Sequence, residues 1–198
     1  MVRPTCSFEC AIMISEVSAR DLGKLLPLWK QYAEAHAVYD DAFLLQQASD
    51  EAILQYLSDA WMAPGHHVFI CSEVNQVVGF VHFATADFPF PHRSLRHGFI
   101  DALYVHPSRR LRGIGSMLFK HVNDWLAERS IHRIQLCVAA GNAEAYLFWK
   151  KFGFDELVIT MKQSGKAQTE QNKSGAECAV GREVAKPSAE PSDAADSR

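Results

Sequence analysis

Residues 98–130 read GFIDALYVHPSRRLRGIGSMLFKHVNDWLAERS, and the order of patterns within them decides the fold. An apolar run (Phe99, Ile100, Leu103, Tyr104, Val105) meets Pro107, passes a basic turn (Arg109, Arg110, Arg112) and crosses Gly113 and Gly115. Ile114, Leu118, Val122, Trp125 and Leu126 then recur at the three-and-four spacing of one buried helical face, while Lys120, His121, Asp124 and Glu128 fall largely elsewhere. Beyond them Ile134, Leu136 and Val138 alternate with polar or small residues, as a strand does. Strand, loop, helix and strand imply a parallel pair with a right-handed crossover, so the glycine loop stands at the carboxyl end of the first strand.

That loop is suited to an anion. The first backbone N–H groups of a helix have no partner inside it, and glycines allow a ligand to approach them closely. The segment Arg112 to Ser116 therefore reads as a phosphate site with arginines around it. A P-loop would need Lys-Ser/Thr after the second glycine, and a dinucleotide fingerprint a third glycine where Leu118 stands; neither is present. Taken alone, a G-x-G equally fits a tight turn beside solvated arginines.

Working outward toward the N-terminus, Val68–Cys71 and Val77–Ala84 are β-rich and flank Glu73-Val74-Asn75-Gln76, which reads as a hairpin turn. Two helices precede it. Ser18 to Asp21 has the form of a capping box, followed by the stripe Leu22, Leu25, Leu26, Trp29, Tyr32 and Ala33, with Pro27 expected to kink or split it. Ser49, Asp50 and Glu51 open the second, with Ile53, Leu54, Leu57, Ala60 and Trp61 buried and Pro64-Gly65 as its stop. Ala11–Ser15 is a short first strand, and residues 1–10 are a loose lead-in. Phe88-Pro-Phe-Pro91-His92 reads as a stiff loop, with substrate contact as one use for it.

Toward the C-terminus, Asn142 caps a helix over 143–152, Gly153 ends it, and Phe154–Met161 reads as a last strand. From Ser164 on, large apolar residues almost vanish, so residues 164–198 are expected to be disordered. Residues 11–163 form one domain in this reading. The expected fold is α/β in the α+β sense, a mixed and mostly antiparallel central sheet with a parallel βαβ core flanked by helices.

Composition excludes several classes. In 198 residues, 48% hydrophobic content with 22% charged is ordinary for a globular domain, and a net charge of −3 gives no drive toward nucleic acid or an anionic membrane. No apolar run has transmembrane length and no signal core follows Arg3, so a cytoplasmic address is expected. Cys6, Cys10, Cys71, Cys137 and Cys178 are scattered and read as free thiols. The histidines, His66-His67 included, show no ligand spacing with a third group beside them, and no metal site is expected.

Two motifs carry a family resemblance. Arg110-Leu111-Arg112-Gly113-Ile114-Gly115 resembles the (Gln/Arg)-x-x-Gly-x-(Gly/Ala) signature of the GNAT superfamily of acyl-CoA-dependent N-acyltransferases. Downstream, Asn142-Ala-Glu-Ala145-Tyr-Leu-Phe148-Trp149-Lys-Lys-Phe-Gly153-Phe154 is similar to its second motif, Asn-x-x-Ala-x-x-Phe-Tyr-x-x-x-Gly-Phe. The resemblance spans about residues 11–163. It implies the GNAT fold, in which two central parallel strands splay at a bulge and the pantetheine arm of acetyl-CoA pairs with the backbone of Leu103, Tyr104 and Val105. It further implies that residues 110–116, Ser116 included, hold the pyrophosphate, with Asn142 and Phe148 against the cofactor. Relatives supply the expectation of a homodimer.

The implied reaction, acyl transfer from thioester to amine, needs a neutral nucleophile. An alkylamine with a pKa near ~10.4 is neutral only about once in 10³ molecules at pH 7, so a base must take its proton. Asp101, two places before Leu103, matches the position of an acidic base in relatives; a structural carboxylate is the alternative reading. His106 is a weaker candidate beside Pro107. Relatives protonate the leaving thiolate with the tyrosine of the second motif, but Trp149 stands there and an indole has no proton to give. Tyr146, Tyr104 or water could serve instead; otherwise the chain binds acyl-CoA as a sensor with weak or no turnover. Glu34, His36, Tyr39, Asp40 and Asp41 fall where relatives line the acceptor site, suiting a cationic primary amine of a small molecule or peptide.

Overall fold

The computed structural model describes residues 12–87 and 95–163. The elements in chain order are β1 (Ile12–Glu16), α1 (Leu22–Ala37), α2 (Asp50–Trp61), β2 (His66–Glu73), β3 (Gln76–Asp87), β4 (Arg96–Val105), α3 (Ile114–Ala127), β5 (Ile134–Leu136) and α4 (Ala143–Lys150), with short 3₁₀ turns between some of them. The strands form one sheet in the order β1-β2-β3-β4-β5. The first four pair antiparallel and β4 pairs parallel with β5, so the sheet is mixed as the sequence pattern implies.

Strand alternation sorts the core into two layers. Val68, Ile70, Phe80, Ala102 and Tyr104 pack under α1 and α2, together with Leu25, Trp29, Leu57 and Trp61. Phe69, Cys71, Val81, Phe83 and Ile100 face the other way, toward Ile114, Leu118, Val122 and Leu126 of α3 and Trp149 of α4. Leu118, Val122 and Leu126 have no exposed surface, and burial worth about 1.5–3 kcal/mol per large apolar side chain ties the crossover helix to the sheet.

Local readings hold with four differences. Ser49 caps α2 by accepting from the Ala52 N–H, and Val74 and Asn75 take the left-handed turn conformation, φ 49° and 62°, that a two-residue hairpin needs. Ser18, however, donates its hydroxyl to the Asp21 carboxylate, 2.8 Å away, and α1 begins only at Leu22. Pro27 does not split α1, which runs unbroken over 16 residues. The proline costs about 3 kcal/mol, but Leu22, Leu25, Leu26, Leu28, Trp29 and Ala33 are buried on both sides of it and hold the helix to the sheet. The strand after α3 stops at Leu136 rather than Val138. Most consequentially, residues 154–161 form no strand. Strand propensity is realised only against a partner, and among the described residues nothing in the sheet lies beyond β5.

The compact unit ends at Asp155; the segment from Glu156, described to Gln163, contains neither helix nor strand. The Phe88–His92 loop, the lead-in over 1–10 and the tail over 164–198 lie outside the described residues.

Gly98 tests the tightness of the seam between β4, β5 and α3. A Cβ there would stand 2.6 Å from Cδ1 of Leu126, a side chain with no exposed surface to swing into. Gly98→Ala is expected to destabilise the protein by about 1–3 kcal/mol through overpacking, read by denaturant unfolding with an unchanged m-value.

Candidate functional site

The pairing of β3 with β4 slips by one residue between His82 and Phe83: His82 opposes Ala102, Phe83 opposes Ile100, and Asp101 is the extra residue. This is a β-bulge, which bends its strand and re-aims a side chain. On the opposite edge, β4 pairs with β5 only over Gly98–Ile100. The two parallel strands thus part at the bulge. Leu103, Tyr104 and Val105 continue along β3, with Phe80 opposite Tyr104 and Gly79 opposite Val105, leaving their other edge without a strand among the described residues.

The parting opens a cleft. It is lined by Asp101 and Leu103 of β4, by Cys137, Val138 and Ala139 beyond β5, by Asn142, Ala145 and Trp149 of α4, and by Tyr32 and His36 of α1. Asp101 is therefore part of the cleft lining, with about a third of its side chain exposed. Asn142 lies on the wall while its side chain caps α4, accepting from the Ala145 N–H at 3.0 Å. Trp149 is nearly buried, wedged edge-on among Phe119, Phe148 and Phe154.

At the other end, Gly113 begins α3 in the left-handed conformation, φ 81°, and the space where its Cβ would stand is empty. The first intrahelical bond of α3 runs from the Met117 N–H to the Gly113 carbonyl, so the N–H groups of Ile114, Gly115 and Ser116 point out of the helix end. The mouth of α3 is open at Gly113. Gly115 serves packing: its missing Cβ would sit 3.4 Å from the Phe148 ring and 3.6 Å from Leu103, so this glycine lets α4 and β4 close on the helix start. Ile114 contributes backbone only, its side chain being in the core.

The basic loop differs from its sequence picture. Arg109 and Arg112 both reach back to Glu73, at the end of β2, with Nε of Arg109 2.5 Å and Nη2 of Arg112 3.1 Å from its carboxylate oxygens. Glu73 is 6% exposed. Burial works to raise its pKa, but the bonds and charges of Arg112 and Arg109 outweigh that and leave its carboxyl below the ordinary 4.5. Arg110 donates Nε–H to the Val105 carbonyl, approaches Glu144 at 3.3 Å and lies 5.6 Å over the Tyr104 ring. Leu111 is fully exposed in a left-handed conformation, φ 59°. The three arginines are thus held in place by carboxylates and a carbonyl rather than free in solvent.

The other candidates separate by their surroundings. His106 receives the Ser108 N–H and shapes the turn before α3. Tyr146 is exposed beneath Lys150, away from the cleft lining. Tyr104 is buried, which raises its pKa despite Arg110. His36 reaches the cleft, Tyr39 packs where Gly141 has no side chain, and Asp40 is occupied capping the Ala42 N–H. Tyr32 joins them in the cleft, its hydroxyl pushed up to about 12 by burial first and by the Asp101 charge second.

Two histidines beside Asp101 have roles that local spacing does not reveal. Nδ1 of His82 lies 3.5 Å from an Asp101 oxygen, and its Nε2 lies 2.9 Å from Nδ1 of His66. Donor atoms of the three residues fall within 4.8 Å of one another. The available signal was an ionisable residue in the middle of the apolar run of β3, where burial demands a partner.

A model of the Acetyltransferase (GNAT) family matches residues 29–154. No curated protein matches in sequence. Solved structures do match. A predicted acetyltransferase of Clostridium acetobutylicum, with acetyl-CoA, superposes with TM-score 0.59 at 21% identity, covering 78% of this chain and 96% of the other. An aminoglycoside antibiotic 6'-N-acetyltransferase of Acinetobacter haemolyticus gives 0.60 at 18%, covering 79% and 99%. A ribosomal-protein-alanine N-acetyltransferase of Brucella melitensis gives 0.58 at 23%, covering 79% and 98%. At these identities the likeness shows the fold. No helix among the described residues is long and apolar enough to cross a membrane.

The Glu73 cluster yields a pH dependence with a definite sign. A carboxylate whose folded pKa lies below its unfolded value stabilises above the unfolded pKa and loses that contribution as pH falls through the folded one. Wild type is expected to be more stable than Glu73→Gln at pH 6–7. The difference should shrink as pH drops below about 4.5, measured by urea unfolding across pH.

Proposed function

Because the chain belongs to the Acetyltransferase (GNAT) family, we propose that it transfers the acetyl group of acetyl-CoA to a primary amine of a small molecule or peptide, by direct attack of the amine on the thioester. The observation that carries this is the bulge at Asp101: one extra residue parts β4 from β5 and leaves Asp101 in the lining of the resulting cleft. The open mouth at Gly113 and the strand-free edge of Leu103–Val105 suit the pyrophosphate and the amide-bearing arm of the carrier. Arg110, Leu111, Arg112, Gly115 and Ser116 belong to the loop and first turn at that mouth, Asn142 borders the cleft, and Phe148 packs against the helix start at Gly115.

Asp101 acts as the base. It takes the proton of the docked ammonium, directly or through one water, and the neutral nitrogen attacks the carbonyl carbon. No transferable proton is offered by Trp149, and the raised pKa of Tyr32 keeps its hydroxyl a hydrogen-bond donor rather than an acid. A thiol of pKa near ~8.5 leaves without a protein acid, taking its proton from water. His36 and the aromatic ring of Tyr39 face the acceptor side, where a cationic amine is favoured by the charge of Asp101. The aminoglycoside and ribosomal-protein enzymes share this fold, so both small and peptide amines stay within the proposal. Trp149 also supports a second reading, an acyl-CoA sensor with weak turnover.

Asp101→Asn is expected to keep CoA affinity within about twofold and to lower turnover about 10²–10⁴-fold near neutrality, with the loss shrinking as pH approaches the pKa of the amine. Thiol release over an amine panel, paired with calorimetric CoA titration, measures both; unchanged turnover would put the base elsewhere. Tight CoA binding with no release on any amine would favour the sensor. Gly113→Val, which fills the open mouth and strains a left-handed residue, is expected to weaken CoA binding about tenfold or more, the equivalent of one charge-assisted bond.

A further inference from the structure

Asp101, His82 and His66 are spaced closely enough to suggest a metal cage, but their geometry is a line. His82 presents Nδ1 to Asp101 and Nε2 to His66, and these two nitrogens point away from each other across the ring. One ion could meet only one of them. The residues come from three neighbouring strands, β4, β3 and β2: His82 opposes Ala102, next to the bulged Asp101, and on its other side Val68, while His66 sits diagonally, two residues before Val68 and opposite Ala84.

The direction of the hydrogens follows from chemistry. Nδ1 of His82 stands at ion-pair distance, 3.5 Å, from a carboxylate oxygen that can only accept, so the arrangement proposed below places the hydrogen of His82 on Nδ1 and leaves Nε2 as the acceptor. Nδ1 of His66 then donates to that Nε2. The His82 ring is held for this work: it is 4% exposed and stacks on Trp61, with centroids 4.6 Å apart and an interplanar angle of 22°. Tyr32, on α1, is the further titratable group whose charge is coupled to Asp101.

We infer that His82 is a positioning residue for Asp101 and that His66 sets its tautomer, so that Asp101–His82–His66 acts as one hydrogen-bonded line aiming the carboxylate into the cleft. The inference rests on the reading of Asp101 as the base. In a bulge the carboxylate has freedom to turn, and a base must stay within hydrogen-bond reach of the proton it takes. Donation from a fixed, buried imidazole removes that freedom. The arrangement follows the logic by which a third group orients a catalytic acid–base residue.

The test is a double-mutant cycle on the full chain, with acetyl-CoA and the panel amine giving the fastest thiol release, beside nitrogen-15 NMR of the wild-type imidazoles. His82→Phe keeps a ring against Trp61 but cannot donate. It is expected to lower kcat about tenfold or more with KM for acetyl-CoA within about twofold, while His82→Gln, which retains a donor, recovers part of the loss. In the Asp101→Asn background His82→Phe should remove nothing further, because the two act as a unit. NMR should find the hydrogen of His82 on Nδ1. Equal losses in both backgrounds, or a bare Nδ1, would overturn this inference and leave the base reading standing; unchanged turnover in Asp101→Asn would remove both. Turnover abolished by chelation and restored by Zn²⁺ would make the three groups ligands and overturn the line. Should His82→Phe fail to fold, the tautomer in the wild type decides.

Discussion

One surplus residue on a strand is the constraint from which the rest of this molecule follows. Where β3 and β4 run in register, every backbone group of β4 can be paired on both edges. The slip between His82 and Phe83 inserts Asp101, tilts β4 away, and β5 lets go after Ile100. A central strand that loses its neighbour exposes N–H and C=O groups that must find another partner. The fold supplies a slot there instead of a strand. The same residue that breaks the ladder also lines the slot, so on the proposed reading opening the cleft and arming it are a single structural event.

The pieces around the cleft keep it open in different ways. α3 and α4 are drawn together at Gly115, where Phe148 and Leu103 occupy the place of a side chain, while Gly113 keeps the helix end uncovered. The arginines contribute less free charge than their number suggests. Glu73 takes two of them, and because it is buried at the end of β2 it pins there the loop that leaves β4 and enters α3. A buried carboxylate bonded by two guanidiniums serves geometry more than stability, since its desolvation offsets much of the attraction. On the proposed reading, the grip of the mouth on an anion therefore rests chiefly on backbone amides, since Arg110 too is engaged, by the Val105 carbonyl.

The order of elements was legible in residues 98–130 because each period there is long and unambiguous, and the parallel crossover follows from it by handedness alone. The family motifs drew attention to Gly113, Gly115 and Asn142, and the strand before them, by its place two residues ahead of Leu103, to Asp101. What could not be read was pairing. The Phe154–Met161 pattern has strand propensity but no ladder, and nothing in a single stretch announces the lack of a partner. Glu73 looked like a turn residue because its arginines lie 36 and 39 residues away. Tyr32 was absorbed into an apolar stripe and His82 into a β-rich run for the same reason: what places them beside Asp101 is helix packing and a register slip between strands, and neither leaves a mark in local spacing.

The cleft is chemically one-sided, and this bears on how acyl transfer would run in it. Asp101 can take a proton, and Tyr32, with a pKa near 12, can share a hydrogen but not surrender it at neutral pH. Trp149 fills the place from which relatives donate to the leaving group, and it does so as packing among Phe119, Phe148 and Phe154. On the proposed reading, the chemistry that matters thus sits on the side of the nucleophile. A thiolate is stable enough to depart unaided, whereas an ammonium cannot attack at all, so a single well-aimed base addresses the harder of the two proton problems. On the proposed reading, the rate is set by how firmly the carboxylate of Asp101 is held, and its hold comes from a buried ring on the neighbouring strand rather than from any residue of the family motifs.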